Sequence, residues 1–152
     1  MEIINDFRKL YPLFNFTTDI IVGFPGETEE EFARTMNIAR EAAFSHIHTF
    51  RYSVRKGTRA ERMENQVPER EKASRSALIR EISDDNKSKY YSSILGMEQT
   101  VLVEKTLRGG MARGYGEHYL PILFHDPLAV QNSFVKVKID APAEKGLSGI
   151  RL

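Results

Sequence analysis

The segment DIIVGFPGETEEEF, residues 19–32, constrains the fold most, because the signals for a strand, a tight turn and a helix follow one another within it. β-Branched residues concentrated in residues 16–22 predict the strand. Pro25 followed by Gly26 suits a type II turn, and the capping-box pair Thr28 and Glu31 predicts a helix over residues 29–42. With a second strand predicted over residues 46–52, the order is that of a βαβ unit in a parallel sheet.

The rest of the chain divides into a part with helical apolar spacing and a part with short strand-like stretches. Apolar spacing predicts a helix over residues 1–11 and a long helix from Glu69 to about Ile94, and residues 53–67 form a basic loop between strand and helix. The apolar face of the long helix is predicted to comprise Ala73, Ala77, Leu78, Ile82, Asn86, Tyr90 and Ile94. After Gly96, short strand-like stretches (TVLVE, ARGYG, YLPILF, FVKVKIDA) predict a small barrel of OB-like type. The fold class is therefore α/β followed by all-β.

Composition excludes several classes of protein. With 22 basic and 21 acidic residues, the chain lacks the strongly basic balance of a nucleic-acid binder, so any such binding must use a local patch. The absence of cysteine excludes disulfides and thiolate sites within this chain. No apolar run is long enough to cross a bilayer and the first residues do not fit a signal peptide, so we expect a cytoplasmic protein with no membrane partner.

Three groups of residues could carry chemistry. The turn 23–26 could receive a ligand beside the start of the following helix, or it could simply make the turn. His46 and His48 lie at i, i+2 on one predicted strand face with Phe50 and Tyr52, but no third metal ligand is nearby and we predict no metal site. The loop cations could hold phosphate or carboxylate groups, or pair with acids of the next helix; they are Arg51, Arg55, Lys56, Arg59 and Arg62.

The predicted barrel has a possible RNA face. In ARGYGEHYLPILF, cations and aromatic side chains alternate with small residues, a pattern typical of base stacking beside phosphate contact. The candidate RNA-binding residues are Arg113, Tyr115, His118, Tyr119, Lys136 and Lys138. A half-buried strand with lysines that extend into solvent explains the same pattern.

Across TTDIIVGFPGETEEEF, SHIHTFRYSVRKGTRAERMENQVPERE and YGEHYLPILF, the chain resembles the tRNA methylthiotransferases of the radical-SAM superfamily. That family joins a methylthiotransferase domain, a partial radical-SAM (βα) barrel and a C-terminal RNA-binding TRAM domain. The resemblance implies that residues 1–67 are the end of the partial barrel, that 68–95 are a connecting helix and that 96–152 are the TRAM domain.

The resemblance also implies cofactors and their contacts. The family uses S-adenosylmethionine and two 4Fe–4S clusters, and this cysteine-free chain cannot bind the clusters, so alone it is expected to be inactive with no catalytic residue of its own. Residues matching the S-adenosylmethionine site are Asp19, Ile21, Gly23, Tyr52, Ser53 and Arg55.

The implied activity adds a methylthio group to the 2-position of a modified adenosine beside the anticodon of tRNA. HIHTFRYSVRKGT and GYGEHYLPI favour the branch acting on N6-threonylcarbamoyladenosine. The alternatives are the isopentenyladenosine branch, the ribosomal-protein branch, a stand-alone RNA-binding module, and an α/β protein binding another nucleotide. Because a partial barrel leaves strand edges unpaired, we also expect this chain to form a homodimer in isolation.

Overall fold

The computed structural model describes all 152 residues as three α-helices and seven strands. The helices are α1 (Glu2–Leu10), α2 (Glu29–Ala42) and α3 (Glu69–Ser93). The strands are β1 (Thr17–Val22), β2 (His46–Arg51), β3 (Glu98–Thr106), β4 (Met111–Tyr115), β5 (Pro121–His125), β6 (Phe134–Ala143) and β7 (Gly146–Arg151). Two short 3₁₀ helices lie at Ala60–Arg62 and Arg108–Gly110. None of the helices combines the length and the apolar character that crossing a membrane requires.

The chain forms two compact units. The first comprises Met1–Leu10 and Phe16–Ser88, and the second comprises Tyr11–Asn15 and Lys89–Leu152. The division along the chain therefore falls inside α3, and each unit is described separately below.

In the first unit, β1 and β2 pair in parallel, with Thr17 opposite His46 and Val22 opposite Arg51. The predicted parallel pairing of the two strands is confirmed. Helix α2 begins and ends where its sequence predicts, because Thr28 and Glu31 form a complete capping box and Ala43 ends the helix in the left-handed conformation. The buried core lies between the sheet and the helices and contains Val22, Phe32, Ala39, Ile47, Ile79 and Ile82.

The turn after β1 is also as predicted. The Glu27 amide donates to the Phe24 carbonyl at 2.9 Å, with Pro25 and Gly26 at the two central positions. Gly26 has φ +87°, which a type II turn requires at this position and which glycine adopts without strain. The turn therefore reverses the chain directly at the carboxyl end of β1.

The predicted buried face of α3 is wrong in the amino-terminal half of the helix. Ala73, Ala77 and Leu78 are exposed. The buried positions there are instead Lys72, Arg75, Ser76 and Ile79, whereas Ile82 and Asn86, farther along the predicted face, are buried as predicted. Because most of these residues are polar, the apolar periodicity of the sequence indicates the neighbouring, exposed face of the helix. Hydrogen bonds and ion pairs compensate for the burial of several of the polar side chains.

The second unit is a closed five-stranded barrel with strand order β3-β4-β5-β7-β6, and β3 pairs with β6 to close it. All neighbouring strands are antiparallel except β5 and β7. Alternate residues of the strands fill its interior, including Val101, Val103, Ala112, Phe124 and Val137. The predicted small β-barrel is confirmed.

Candidate functional site

One face of the β1–β2 sheet is open. Strand register places Asp19 opposite His48 and Ile21 opposite Phe50, and since side chains alternate, both pairs lie on the same face. The other face carries Val22 and Ile47 into the core. Ile21 and Phe50 are 58% and 52% exposed, so an apolar pair lies uncovered at the carboxyl end of the two strands.

A cleft of about 370 Å³ lies at this end, and we call it the carboxyl-end cleft. Its lining includes Ile21, Phe24, Phe50, Tyr52, Ser53 and Arg55. Of the six residues predicted for the S-adenosylmethionine site, the structure brings four together here: Ile21, Tyr52, Ser53 and Arg55. Asp19 lies two residues before Ile21 on the same open face, and Gly23 lies between the end of β1 and the turn.

Two polar atoms beside the cleft have no partner. The Tyr52 hydroxyl and Thr49 Oγ1 are buried without a hydrogen bond. Buried hydroxyls are normally satisfied, and leaving one unpaired costs about 1–3 kcal/mol. Tyr52 lines the carboxyl-end cleft, while both residues line a second, adjoining cleft bounded by Glu69 and Lys72. The unpaired hydroxyls fit a site whose polar groups are completed by a ligand or by water.

The turn after β1 is held by α3. A Glu27 carboxylate oxygen accepts from the Gly23 amide at 2.6 Å and from the Arg75 guanidinium, also at 2.6 Å. Arg75 also donates to the Glu27 carbonyl at 3.0 Å, to Glu29 at 2.8 Å and to Glu71. Burial lowers the pKa of Arg75, but hydrogen bonds to Glu29 and Glu27 outweigh that effect and raise it overall.

Lys72, also on α3, packs against Gly23 and the Tyr52 ring. A Cβ atom added to Gly23 would lie 2.3 Å from Lys72 Cγ, so the lysine stem fills the space that a side chain at Gly23 would need. Lys72 Nζ lies 5.3 Å from the centroid of the Tyr52 ring, and Tyr52 in turn meets Phe24 edge to face at 5.2 Å. The sequence interpretation missed both Lys72 and Arg75; the signal available was a pair of cations three residues apart at the start of a long helix.

The two strand histidines are close together. His46 and His48 have ring centroids 4.4 Å apart at 89°, and both residues are exposed. Partial burial, then the nearby charges of His48 and Lys87, lower the pKa of His46, while Asp84 acts in the opposite direction. The structure contains no group of three or more histidine, aspartate and glutamate side chains suited to a metal ion.

The loop cations divide into two sets. Arg51 pairs with Glu69 of α3 at 3.0 Å, as the second interpretation of the loop expects. Arg55 lines the carboxyl-end cleft and has no ion pair, and Lys56, Arg59 and Arg62 also have none. Arg55 is therefore the loop cation available to an anionic group in the cleft.

On the barrel, Tyr115 and Tyr119 form a stacked pair with ring centroids 4.9 Å apart and an interplanar angle of 25°. Tyr119 is 78% exposed and has φ +56°, which turns the β4–β5 connection so that its ring lies over Tyr115. Leu102 is opposite Tyr115, and the 72%-exposed Phe134 is opposite Leu102. We call this set, Phe134, Leu102, Tyr115 and Tyr119, the exposed apolar row.

Cations flank the exposed apolar row. Lys136 follows Phe134 on the outward face of β6, and Arg113 precedes Tyr115 on the outward face of β4, opposite Lys105. None of these three cations forms an ion pair within the chain. Lys138 is exposed one step farther along β6, opposite Glu98. The outer face therefore combines ring surfaces with positively charged side chains, and Lys136 also lies near enough to Glu117 to help lower the pKa of that carboxyl.

The β4–β5 connection is anchored by contacts of two adjacent residues, Glu117 and His118. Glu117 accepts from the Thr100 amide of β3 at 3.1 Å. Hydrogen bonding by the Thr100 side chain, and to a smaller extent by its amide, lowers the pKa of the Glu117 carboxyl, although partial burial acts in the opposite direction. The carbonyl of His118 accepts from Asn15 at 2.7 Å.

Of the six candidate RNA-binding residues, the structure brings Arg113, Tyr115, Tyr119 and Lys136 together along the row. His118 is half-buried in the connection and Lys138 lies beyond the row.

Comparison with known proteins gives a consistent set of relatives, although no family model matches the chain. The threonylcarbamoyladenosine tRNA methylthiotransferase MtaB of Thermotoga maritima is 38% identical over 151 residues, 99% of this chain and 34% of the relative. MtaB of Bacillus subtilis is 39% identical over 140 residues, covering 90% of this chain and 31% of the relative. The tRNA-2-methylthio-N(6)-dimethylallyladenosine synthase of Bacillus subtilis is 36% identical over 155 residues, covering 98% of this chain and 30% of the relative. The chain thus spans about a third of the length of these relatives.

Proposed function

Because the chain matches the carboxy-terminal part of a tRNA methylthiotransferase of the radical-SAM superfamily, we propose that it serves as part of the cofactor pocket and as the RNA-binding part of such an enzyme. Its relatives are enzymes by name. The parent reaction we propose is the addition of a methylthio group to the 2-position of a modified adenosine beside the anticodon.

The first unit is proposed to contribute one side of the S-adenosylmethionine pocket. What carries this proposal is that Ile21, Tyr52, Ser53 and Arg55, separated along the sequence, line one cleft. Ile21 and Phe50 offer an apolar surface to an adenine ring, and Arg55 offers its charge to a carboxylate. We further propose that β1, α2 and β2 correspond to the end of the partial barrel in residues 1–67, which residues 68–95 connect to a TRAM domain at 96–152.

When bound, S-adenosylmethionine would supply the radical chemistry of this family. This chain's residues would hold and orient the cofactor; with no cysteine, the chain offers no thiolate to either iron–sulfur cluster. The chain alone is therefore proposed to be inactive, and reductive cleavage of S-adenosylmethionine by the isolated chain, supplied with iron, sulfide and reductant, would contradict that statement.

The cleft is tested by titrating the labelled chain with S-adenosylmethionine and recording backbone amide shifts by NMR. We expect shifts at Ile21, Phe50 and Arg55 and none at Leu128, an 87%-exposed residue of the second unit. ATP serves as the control ligand, because it shares the adenosine moiety but not the methionine group. Equal responses to both ligands would support a general nucleotide site, and no response at millimolar concentration would reject the cleft as the cofactor site.

The second unit is proposed to bind tRNA. Rings in the exposed apolar row can stack on unpaired bases, and Lys136 and Arg113 can contact phosphates. A stand-alone RNA-binding module would use the same face, so RNA binding does not separate the two functions. A continuous reading frame that extends upstream of Met1 and encodes cysteines would exclude the alternative of a stand-alone RNA-binding module.

We propose N6-threonylcarbamoyladenosine as the modified base, on the resemblance of residues 46–58 and on the names of the two MtaB relatives. The competing substrate is the dimethylallyl base named for other relatives, and the ribosomal-protein branch is the third alternative. A cytoplasmic location is part of the same proposal. Homodimerisation through the uncovered edges of β1 and β2 stays a prediction, which light scattering on the isolated chain tests.

A further inference from the structure

We propose that Arg75 is a positioning residue for the carboxyl-end cleft: through Glu27 it fixes the turn that follows β1. The inference rests on the proposed function of the cleft. Arg75 itself does not line the cleft and acts through the turn.

The contacts converge on one carboxylate. Glu27 Oε2 accepts from the Gly23 amide and from the Arg75 guanidinium, each at 2.6 Å, so a single oxygen joins Gly23, directly before the turn, to α3. Arg75 also donates to the Glu27 carbonyl at 3.0 Å, which holds the end of the turn. The guanidinium thus holds Glu27, at the end of the turn, directly, and it holds Gly23 through the Glu27 carboxylate.

Burial makes this arrangement specific to arginine. The Arg75 side chain is 4% exposed and the Glu27 side chain 14% exposed, so little solvent screens their interaction. The planar guanidinium presents donors in a fixed fork and here reaches Glu27, Glu29 and Glu71 at once. A lysine ammonium carries the same charge but cannot span these acceptors from one point.

The turn determines what the cleft presents. Phe24 lies between Gly23 and Glu27 in the sequence. The centroid of its ring lies 5.2 Å from that of Tyr52, and both rings line the cleft. Gly23 has φ +73° and lies against the Lys72 stem. Because glycine has no side chain, residue 23 cannot hold the backbone in place by side-chain contacts. Without the Glu27–Arg75 contact, the turn that carries Phe24 loses its hydrogen-bonded link to α3, whereas Val22 keeps its place in the core with Ile79 and Gly23 still lies against the Lys72 stem.

The apolar side chains that pack α3 into the core lie farther along the helix than Arg75. Ile79 and Ile82 carry the helix into the core, and Asn86 donates to the Ala39 carbonyl at 3.0 Å from a buried position. Asn86 lies about three turns along the same helix from Arg75. It is therefore a matched control: a buried polar group of α3 with a long-range partner that has no contact with the turn.

The test compares Arg75→Lys, Glu27→Gln and Asn86→Ala in the full chain. Hydrogen exchange of the Gly23 amide reports the turn directly, S-adenosylmethionine titration reports the cleft, and thermal unfolding reports overall stability. We expect both Arg75→Lys and Glu27→Gln to speed Gly23 exchange by at least about tenfold and to weaken S-adenosylmethionine binding by about fivefold or more. Asn86→Ala is expected to lower the unfolding temperature while leaving Gly23 exchange and the ligand affinity near wild type.

Each outcome decides the inference. Wild-type Gly23 exchange in folded Arg75→Lys and Glu27→Gln would overturn it, and so would equal losses of affinity in all three variants, which would indicate a purely structural role. If Gly23 exchange rises but the wild-type chain binds no S-adenosylmethionine, the turn is positioned as described but the proposed cofactor site, and the positioning role with it, is rejected.

Discussion

Replacing Tyr119 by alanine should separate RNA binding from folding more cleanly than any other change on the barrel. The side chain is 78% exposed and its one ring neighbour is Tyr115, at 4.9 Å. Alanine meets the same backbone requirement as tyrosine at φ +56°, so the substitution removes the ring without adding strain beyond what is present.

The two expected magnitudes differ. Loss of a stacked base costs about 1–3 kcal/mol, which corresponds to a decrease in affinity of about 5- to 150-fold. Loss of an exposed aromatic pair costs at most about 0.5–1.5 kcal/mol of folding free energy. The variant should therefore stay folded under conditions in which its RNA binding is clearly weakened.

The assay is fluorescence anisotropy with a labelled tRNA anticodon stem-loop at fixed salt, with urea unfolding on the same samples. Tyr119→Phe should bind like wild type because it keeps the ring. Leu128→Ala removes another highly exposed apolar side chain of the same unit, away from the exposed apolar row, and should change nothing. Wild-type affinity in Tyr119→Ala would refute base stacking at this position.

Three further changes test other parts of the second unit. Lys136→Ala should weaken RNA binding and reduce the slope of log affinity against log salt by about 1, measured by the same titrations between low and moderate salt; an unchanged slope would exclude a phosphate contact. Gly114→Ala should destabilise the barrel by about 3 kcal/mol or more in urea unfolding, because the added Cβ would lie 1.9 Å from the Leu102 carbonyl oxygen; near-wild-type stability would show that β3 and β4 can separate freely. The lowered pKa of Glu117 means that its ionised form stabilises the native state, a contribution present at neutral pH and lost as pH falls through the folded pKa. Glu117→Gln should accordingly be less stable than wild type near neutral pH by less than about 1 kcal/mol, with the difference vanishing in acid, and a difference independent of pH would contradict this.

Local signals in the sequence predict the local structure of this chain well. The capping pair Thr28 and Glu31 places α2, and Pro25 with Gly26 places the turn, because each structure depends on neighbours within four residues. The short strand-like stretches after Gly96 are local signals as well, and their number predicts a small barrel. The parallel pairing of β5 with β7 has no local signal, since it depends on how the strands close.

Long-range contacts explain what the sequence does not predict. Arg75 is buried because Glu27, 48 residues away, supplies a carboxylate, and nothing in the helix pattern indicates that partner. The apolar periodicity of α3 therefore selects the wrong face in its first half. Likewise, the spacing of Tyr115 and Tyr119 indicates two aromatic residues, but their stacking depends on the left-handed backbone at Tyr119.

The most direct test of the central proposal is a segment exchange. This chain replaces the matching third of the Thermotoga maritima MtaB relative, and the tRNA of cells producing the chimaera is digested and analysed for 2-methylthio nucleosides by mass spectrometry. The corresponding segment of Bacillus subtilis MtaB, similarly exchanged, controls for the junctions. We predict that both chimaeras form the 2-methylthio derivative of N6-threonylcarbamoyladenosine. A folded chimaera that carries its iron–sulfur clusters and yields no methylthio nucleoside, while the control chimaera does, would contradict the proposal.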